Sequence, residues 1–219
     1  MFDFIFIKKY RDVRFFIILI NINFLNLKIM DNTFEKQLVD SSKLKVGMFD
    51  CGNGVFVSDV KQKQDVRSIV SYVDLDKKIA LGICPKFKML PWCHTVIGAD
   101  TIHMRSGKEA TAIILERAEE LGKSVPAVEF CANYVGYGIN KGDAFMPSKT
   151  ELRRMFIYRS QVREACKKIG VSMFDLKVWS STIDGKNAWV WMQDFITGTS
   201  NWYYQCYTYA AFPVIEIKL

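Results

Sequence analysis

The sequence predicts a single α+β domain with antiparallel strands at both ends and helices in the middle. Three observations carry that reading. Short runs of β-branched and aromatic residues, broken by Gly and Asp, precede residue 84 and return after residue 177. Apolar residues at helical spacing, with clear start signals, fill the stretch between residues 106 and 169. No internal repeat or low-complexity linker interrupts the chain after Met30. Half of the 219 residues are apolar, enough for a core.

Residues 1–29 differ from the rest. They contain no Gly, Pro, Ala, Ser or Thr, and 20 of the 29 are Phe, Ile, Asn, Lys or Tyr, each of which A and T alone can encode. Met30 then opens the polar "MDNTFEKQL". One expectation is therefore an AT-rich upstream stretch, with Met30 as the true start. The other is a weak anchor, because Lys8, Lys9, Arg11 and Arg14 precede an apolar run over residues 15–27. That run carries Asn21, Asn23 and Asn26 and falls short of the ~20 mostly apolar residues of a membrane span. No small-residue cleavage site follows it, so neither a signal peptide nor a transmembrane span is expected. Residues 30–44 read as a lead-in and 45–219 as the domain.

Within residues 45–83, "VGMFD", "GVFVSDV", "RSIVSYVD" and "KKIALGI" predict two antiparallel hairpins, with turns at residues 50–54 and 74–78. "CPKFKMLPWCHTVIGADTIHM", with Pro85 and Pro91, has no period and reads as a long connection. In "SGKEATAIILERAEELGKS", Ser106 caps a helix whose Ala110, Ile113, Ile114, Arg117 and Leu121 recur at helical intervals, and Gly122 stops it. "PAVEFCANYV" predicts a short helix starting at Pro126. In "MPSKTELRRMF", Ser148 and Glu151 have the spacing of a capping box, and the helix they start should carry Leu152, Met155 and Phe156 inward. A further helix is expected over residues 161–169. From Val178 the chain returns to strands: "VWSST", "NAWVWMQDF", "SNWYYQCYTY" and "FPVIEIKL".

The formal net charge is +7, of which residues 1–29 supply +3. It is spread along the chain without a basic tail and implies only mild attraction to acidic partners. Six cysteines form no C-x-x-C pair and read as reduced thiols, several of them small buried hydrophobes. A nucleophilic Ser180 or Ser181 would need a base, yet the only histidines are His94 and His103 and the G-x-S-x-G context is absent. Cys84, Cys93, His94 and His103 lack the spacing of a compact zinc loop. The expectation is a non-enzymatic chain without a cofactor or metal.

Several fragments occur in a recognisable order: "MPSKTEL" (146–152), "WSST" (179–182), "AW" (188–189), Gly198 and "FPV" (212–214). That order resembles the major paralogous domain family named after fibrobacters. "VGMFDCGNGVFVSDV" resembles the family's opening hairpin, and "GKEATAIILERA" with "PAVEFCANY" resembles its paired helices. The resemblance covers residues 45–219 and implies a C-type-lectin-like fold. It also implies a place among bacterial surface proteins and bacteriophage proteins, without catalytic activity. Some relatives carry C-terminal strands diversified by retroelements. Ile183 and Phe212 depart from the family pattern, standing where it has Glu and Arg, and residues 189–198 are about two longer than usual. No calcium-lectin signature is present. Formylglycine-generating enzymes share a related fold, but no cysteine pair here matches their motif.

Two candidate surfaces follow. Trp179, Trp189 and Trp191 are expected to be buried or half-buried, and residues 182–187 to turn at Asp184-Gly185. In 199–209, alternation along one strand would place Asn201, Tyr203, Gln205, Tyr207 and Tyr209 on one face, with Trp202, Tyr204, Cys206 and Thr208 facing the core. Phenols and amides together suit recognition, so the binding set is Asn201, Tyr203, Gln205, Tyr207 and Tyr209, joined by Thr199, Asp184, Lys186 and Asn187. A second, basic docking face comprises Arg159, Arg163 and Lys167, which recur every four residues. The expected partner is a protein or glycan on a host surface, or another virion protein, with a homo-oligomer as a further option. Nucleic acid is disfavoured because no interleaved aromatic platform is evident. Free cysteines and the lack of an export signal favour a virion component made in the host cytoplasm; a bacterial cell-surface protein is the alternative.

Overall fold

Residues 45–83 fold into the two antiparallel hairpins that their alternation predicts. β1 (Phe49–Asp50) pairs with β2 (Phe56–Val57), and β3 (Ser68–Asp74) with β4 (Ile79–Ile83). The computed structural model describes residues 43–60, 65–172, 175–184, 186 and 189–219, all within one unit, Val39–Leu219. The expectations for residues 1–29 and 30–42 therefore lie outside the described residues, and no helix among those described is long and apolar enough to cross a membrane. β1 also pairs with β3. Asp50 fixes that corner: its buried carboxylate accepts from the Gly52 amide at 2.9 Å, Arg67 Nε at 2.7 Å and Ser68 Oγ at 3.1 Å.

The connection without a period contains one strand, β5 (Lys88–Pro91). Its side chains are half-buried or exposed, and it pairs along one side only. A proline is tolerated in such an edge strand, which is why the sequence pattern conceals it.

α1 (Gly107–Glu120) starts at Ser106, whose hydroxyl accepts from the Glu109 amide, and Gly122 follows its end at φ +60°. Its buried face is Ala110, Thr111, Ile114 and Ala118, while Ile113 and Leu121 of the expected stripe are exposed. α2 (Pro126–Ala132) begins at its proline. β6 (Ala144–Phe145) precedes α3 (Lys149–Ile157), which carries the full capping box of Ser148 and Glu151. Leu152 and Met155 are fully buried and Phe156 packs against the same cluster. α4 (Arg159–Lys168) covers the last helix expected. The strands β7 (Lys177–Asp184), β8 (Trp189–Asp194), β9 (Ser200–Tyr204), β10 (Thr208–Ala211) and β11 (Val214–Lys218) complete the chain.

These strands form two largely antiparallel sheets, ordered β2-β1-β3-β4-β11-β6 and β5-β10-β7-β8-β9; β10 and β7 run parallel. One core cluster, with Phe49, Ile83, Leu152, Phe195 and Phe212, joins both sheets to α3 and α4. A second packs α1 and α2 onto one face of the five-stranded sheet through Trp92, Ile114, Val128, Trp179 and Met192. A third, including Val70, Ala80, Ile215 and Ile217, covers the six-stranded sheet. Burying side chains of this size contributes roughly 1.5–3 kcal/mol each. Ile183 belongs to the second cluster and Phe212 to the first, so both departures from the family pattern are apolar core.

Candidate functional site

Residues 200–209 do not run as one strand, and this changes which side chains share a face. β9 ends at Tyr204, the chain turns through residues 205–207, and β10 starts at Thr208 in a different position in the sheet. The turn is closed by the Tyr207 amide, which donates to the Tyr204 carbonyl at 3.2 Å, and is anchored from outside. The Gln205 carbonyl accepts from the Trp92 amide at 2.9 Å and the Cys93 amide at 3.1 Å. These bonds tie the residues just after β5 to the residue just after β9, the two edge strands of the sheet.

The expected binding set is therefore split. Asn201 and Tyr207 are exposed, whereas Gln205 is buried and cannot present its amide to a partner. Tyr203 and Tyr209 are half-buried against the second core cluster. Even so, Tyr203, Tyr207 and Tyr209 converge: their ring centroids lie 5.5–6.3 Å apart, with Tyr207 and Tyr209 stacked at 20°. Lys177 Nζ stands 5.9 and 5.8 Å from the Tyr203 and Tyr209 centroids, and Trp179 packs under Tyr209 at 4.6 Å. Burial, and then the neighbouring Tyr203 and Tyr207, push the Tyr209 phenol above its usual pKa.

Asp184 is half-buried at the end of β7, with Lys186 exposed beyond it; the Asp184 carboxylate accepts from the Lys186 amide at 3.0 Å. Asn187 lies outside the described residues. Thr199 is exposed but sits before β9, at the far end of the strand from Tyr203, and does not join the tyrosines.

The other face of β9 also departs from expectation. Tyr204, Cys206 and Thr208 are exposed and Trp202 is half-buried, so this face is not core. Across the β8–β9 register, Trp189 meets Tyr204 and Trp191 meets Trp202. The ring centroids are 4.6 and 5.2 Å apart. α3 supplies cations over them: Lys149 Nζ lies 5.9 Å from the Trp191 ring and 5.8 Å from that of Trp202, and the Arg153 guanidinium 4.9 Å from Trp191. An interleaved aromatic and basic surface, missed along the chain, is thus present in three dimensions. Its only signals in the sequence are the alternating tryptophans of "AWVW" and "NWY" and the Lys149/Arg153 pair four residues apart.

The expected basic face divides as well. Arg163 pairs with Asp175 at 2.8 Å and Lys167 with Glu164 at 2.7 Å, so much of its charge is answered within the protein. Arg159 lies over the Phe156 ring at 4.0 Å and donates to the Phe156 carbonyl.

Cys84 and Cys93 belong to different core clusters, and His94 and His103 are exposed. Among the described residues no group of three or more His, Cys, Asp and Glu side chains converges on a metal position. In the strand irregularity of β7, Ser180 Oγ donates to the Trp191 carbonyl at 2.7 Å and the Ser181 carbonyl accepts from Thr101 Oγ1 at 2.6 Å, while the Ser181 hydroxyl is buried without a hydrogen-bond partner among the described residues. A groove of about 500 Å³ between β5 and α2 is lined by Lys88, Glu129, Phe130 and Tyr134. Burial pushes the Tyr134 hydroxyl up to about 12. No protein-family model matches the chain, and no curated protein matches its sequence significantly.

Proposed function

We propose that the chain is a non-enzymatic recognition module of the fibrobacter type, with a C-type-lectin-like fold, carried on a bacteriophage particle. There it contacts a protein or glycan of the host surface, or a neighbouring virion protein. The observation that carries this reading is the tyrosine cluster after β9. Three phenols gather beside Lys177 and Trp179, with Tyr207 52% exposed and Asn201 open beside them. Tyrosine supplies large contact area at low entropic cost, and a cluster braced by its own stacking is ordered before a partner arrives. The mixed α+β architecture, with helices between terminal strands, is compatible with the fold implied by the ordered fragments at 146–152, 179–182 and 212–214.

The test is binding of labelled full-length protein to intact bacteria of the candidate host, and to purified virions lacking it. The double variant Asn201→Ala/Tyr207→Ala touches only exposed side chains and should lower binding at least tenfold, with an unchanged thermal midpoint. Equal binding by the variant and the parent would refute the assignment of this surface.

A further inference from the structure

We infer that the outer face of β8 and β9, together with the first turns of α3, binds single-stranded nucleic acid. The ring pairs Trp189–Tyr204 and Trp191–Trp202 follow one another along the strands, roughly 7 Å apart by the two-residue repeat. Tyr204 is 53% exposed and the indoles are half-buried. Lys149 and Arg153 stand over the second pair, and among the described residues no cation lies across the faces of Trp189 and Tyr204.

Two cations of α3 face these rings. Lys149 and Arg153 form no ion pair among the described residues, whereas Arg163, Lys167 and Lys168 on α4 pair with Asp175, Glu164 and Asp59. Arg154 is engaged elsewhere, over the Tyr72 ring of β3 at 4.9 Å and beside the buried Glu151 carboxylate. The position of Lys149 is also unfavourable for the helix, since it is the first residue, where the field of the helix favours acids. Two cations held over the rings without an ion-pair partner among the described residues fit an external polyanion.

Flat rings beside unpaired cations are the combination that grips a single strand without reading its sequence: bases stack while phosphates meet the charges. A neutral sugar would need fixed hydrogen-bonding partners for its hydroxyls. The buried hydroxyls of β7 are engaged within the protein, Ser180 donating to the Trp191 carbonyl and Thr182 accepting from the Lys149 amide, which leaves the Tyr204 phenol as the hydroxyl of the ring pairs. Asp184, the register neighbour of Trp189, ends the track because its carboxylate repels phosphate. This surface lies on the opposite side of β9 from Tyr203, so it stands or falls separately from the recognition cluster.

The experiment titrates the full chain into a fluorescein-labelled oligo-dT strand of about twelve nucleotides, read by anisotropy and by tryptophan quenching. Two neutralised phosphates give a slope of log K against log salt of about −1.4. Tyr204→Ala should weaken binding about tenfold with little change in slope. Arg153→Ala should flatten the slope by roughly 0.7, and Arg163→Ala should alter neither. Melting curves of each variant separate lost binding from lost folding, and hyaluronan serves as the acidic-glycan competitor. Absence of oligo-dT binding overturns the inference. So does binding indifferent to Tyr204→Ala, which would be general charge attraction. Hyaluronan binding tighter than oligo-dT, and lost in Tyr204→Ala, overturns it in favour of a glycan.

Discussion

At the residue scale, burial sorts the six thiols. Cys84, Cys93, Cys131 and Cys166 are buried, Cys51 is half-buried and Cys206 is exposed. Burial pushes the Cys84 and Cys131 thiols far above their usual range, and raises Cys51 with help from Asp50 and Asp65. Since the thiolate is the reactive form, a disulfide reagent at neutral pH should modify Cys206 at once and Cys51 slowly. The other four should react only in denaturant, and a second fast thiol would contradict this placement. Carboxylates differ in sign. Burial pushes the Asp194 carboxyl up, but the amides of Thr197 and Ile196, the Thr197 hydroxyl and the Lys177 charge together outweigh it and leave its pKa depressed. Its stabilisation is thus present above the unfolded value near 3.8 and is lost as the pH falls through the lower folded value. Asp194→Asn should lower the urea midpoint at pH 7 and lessen its fall in acid. A variant whose midpoint tracks the parent at every pH would show that the turn does not depend on the charge.

At the element scale, Glu151 joins two helix starts. Its carboxylate accepts from the Ser148 amide at 2.8 Å within α3 and from the Gly107 amide at 3.1 Å at the head of α1. Burial raises its pKa against those bonds, so, unlike Asp194, its contribution is largest in acid and declines as the pH rises through the raised folded value. Glu151→Ala removes the cap and strands two amides, at a cost of about 3 kcal/mol. Gly107→Ala is worse placed, because a Cβ there would meet the Met146 carbonyl and the Ser148 amide at 2.5 and 2.7 Å as well as the Glu151 carboxylate. Both should lower the thermal midpoint, and if Gly107→Ala were as stable as the parent the tight approach of the two helices would be wrong. The capping box was legible because its signal is local, as were the two hairpins and the proline that opens α2. β5 was not, since four residues ending in proline on an edge leave no alternation. Nor was the break at Gln205: "SNWYYQCYTY" carries no Gly or Pro to mark the turn that the Tyr207 amide closes on the Tyr204 carbonyl, and the amides that anchor it belong to the distant Trp92 and Cys93. That turn reverses the reading of Trp202 and Tyr204 and exposes the surface next to α3.

At the scale of the whole molecule, the closing strand holds both ends of the described chain in one sheet. β11 lies between β4 and β6, pairing Val214–Lys218 with residues 79–83 on one side and Val214 and Ile215 with β6 on the other. Val214 is buried in the first core cluster and Ile215 and Ile217 in the third, so the strand closes two layers at once. Its partners in β4 precede it by well over a hundred residues. Such pairings repay the loop entropy only late in folding, which places the chain among slow folders, in the range of about milliseconds to seconds. Truncation after Pro213 should therefore do more than shorten the chain. It would strip β4 and β6 of a central partner and leave two open edges lined by Ile83 and Phe145. The truncated chain should lose cooperative thermal unfolding and aggregate, whereas a variant shortened by Leu219 alone should melt close to the parent. Cooperative melting of the chain ending at Pro213 would mean that the six-stranded sheet folds without its final strand, and that the pairing of β11 between β4 and β6 is not what holds the molecule together.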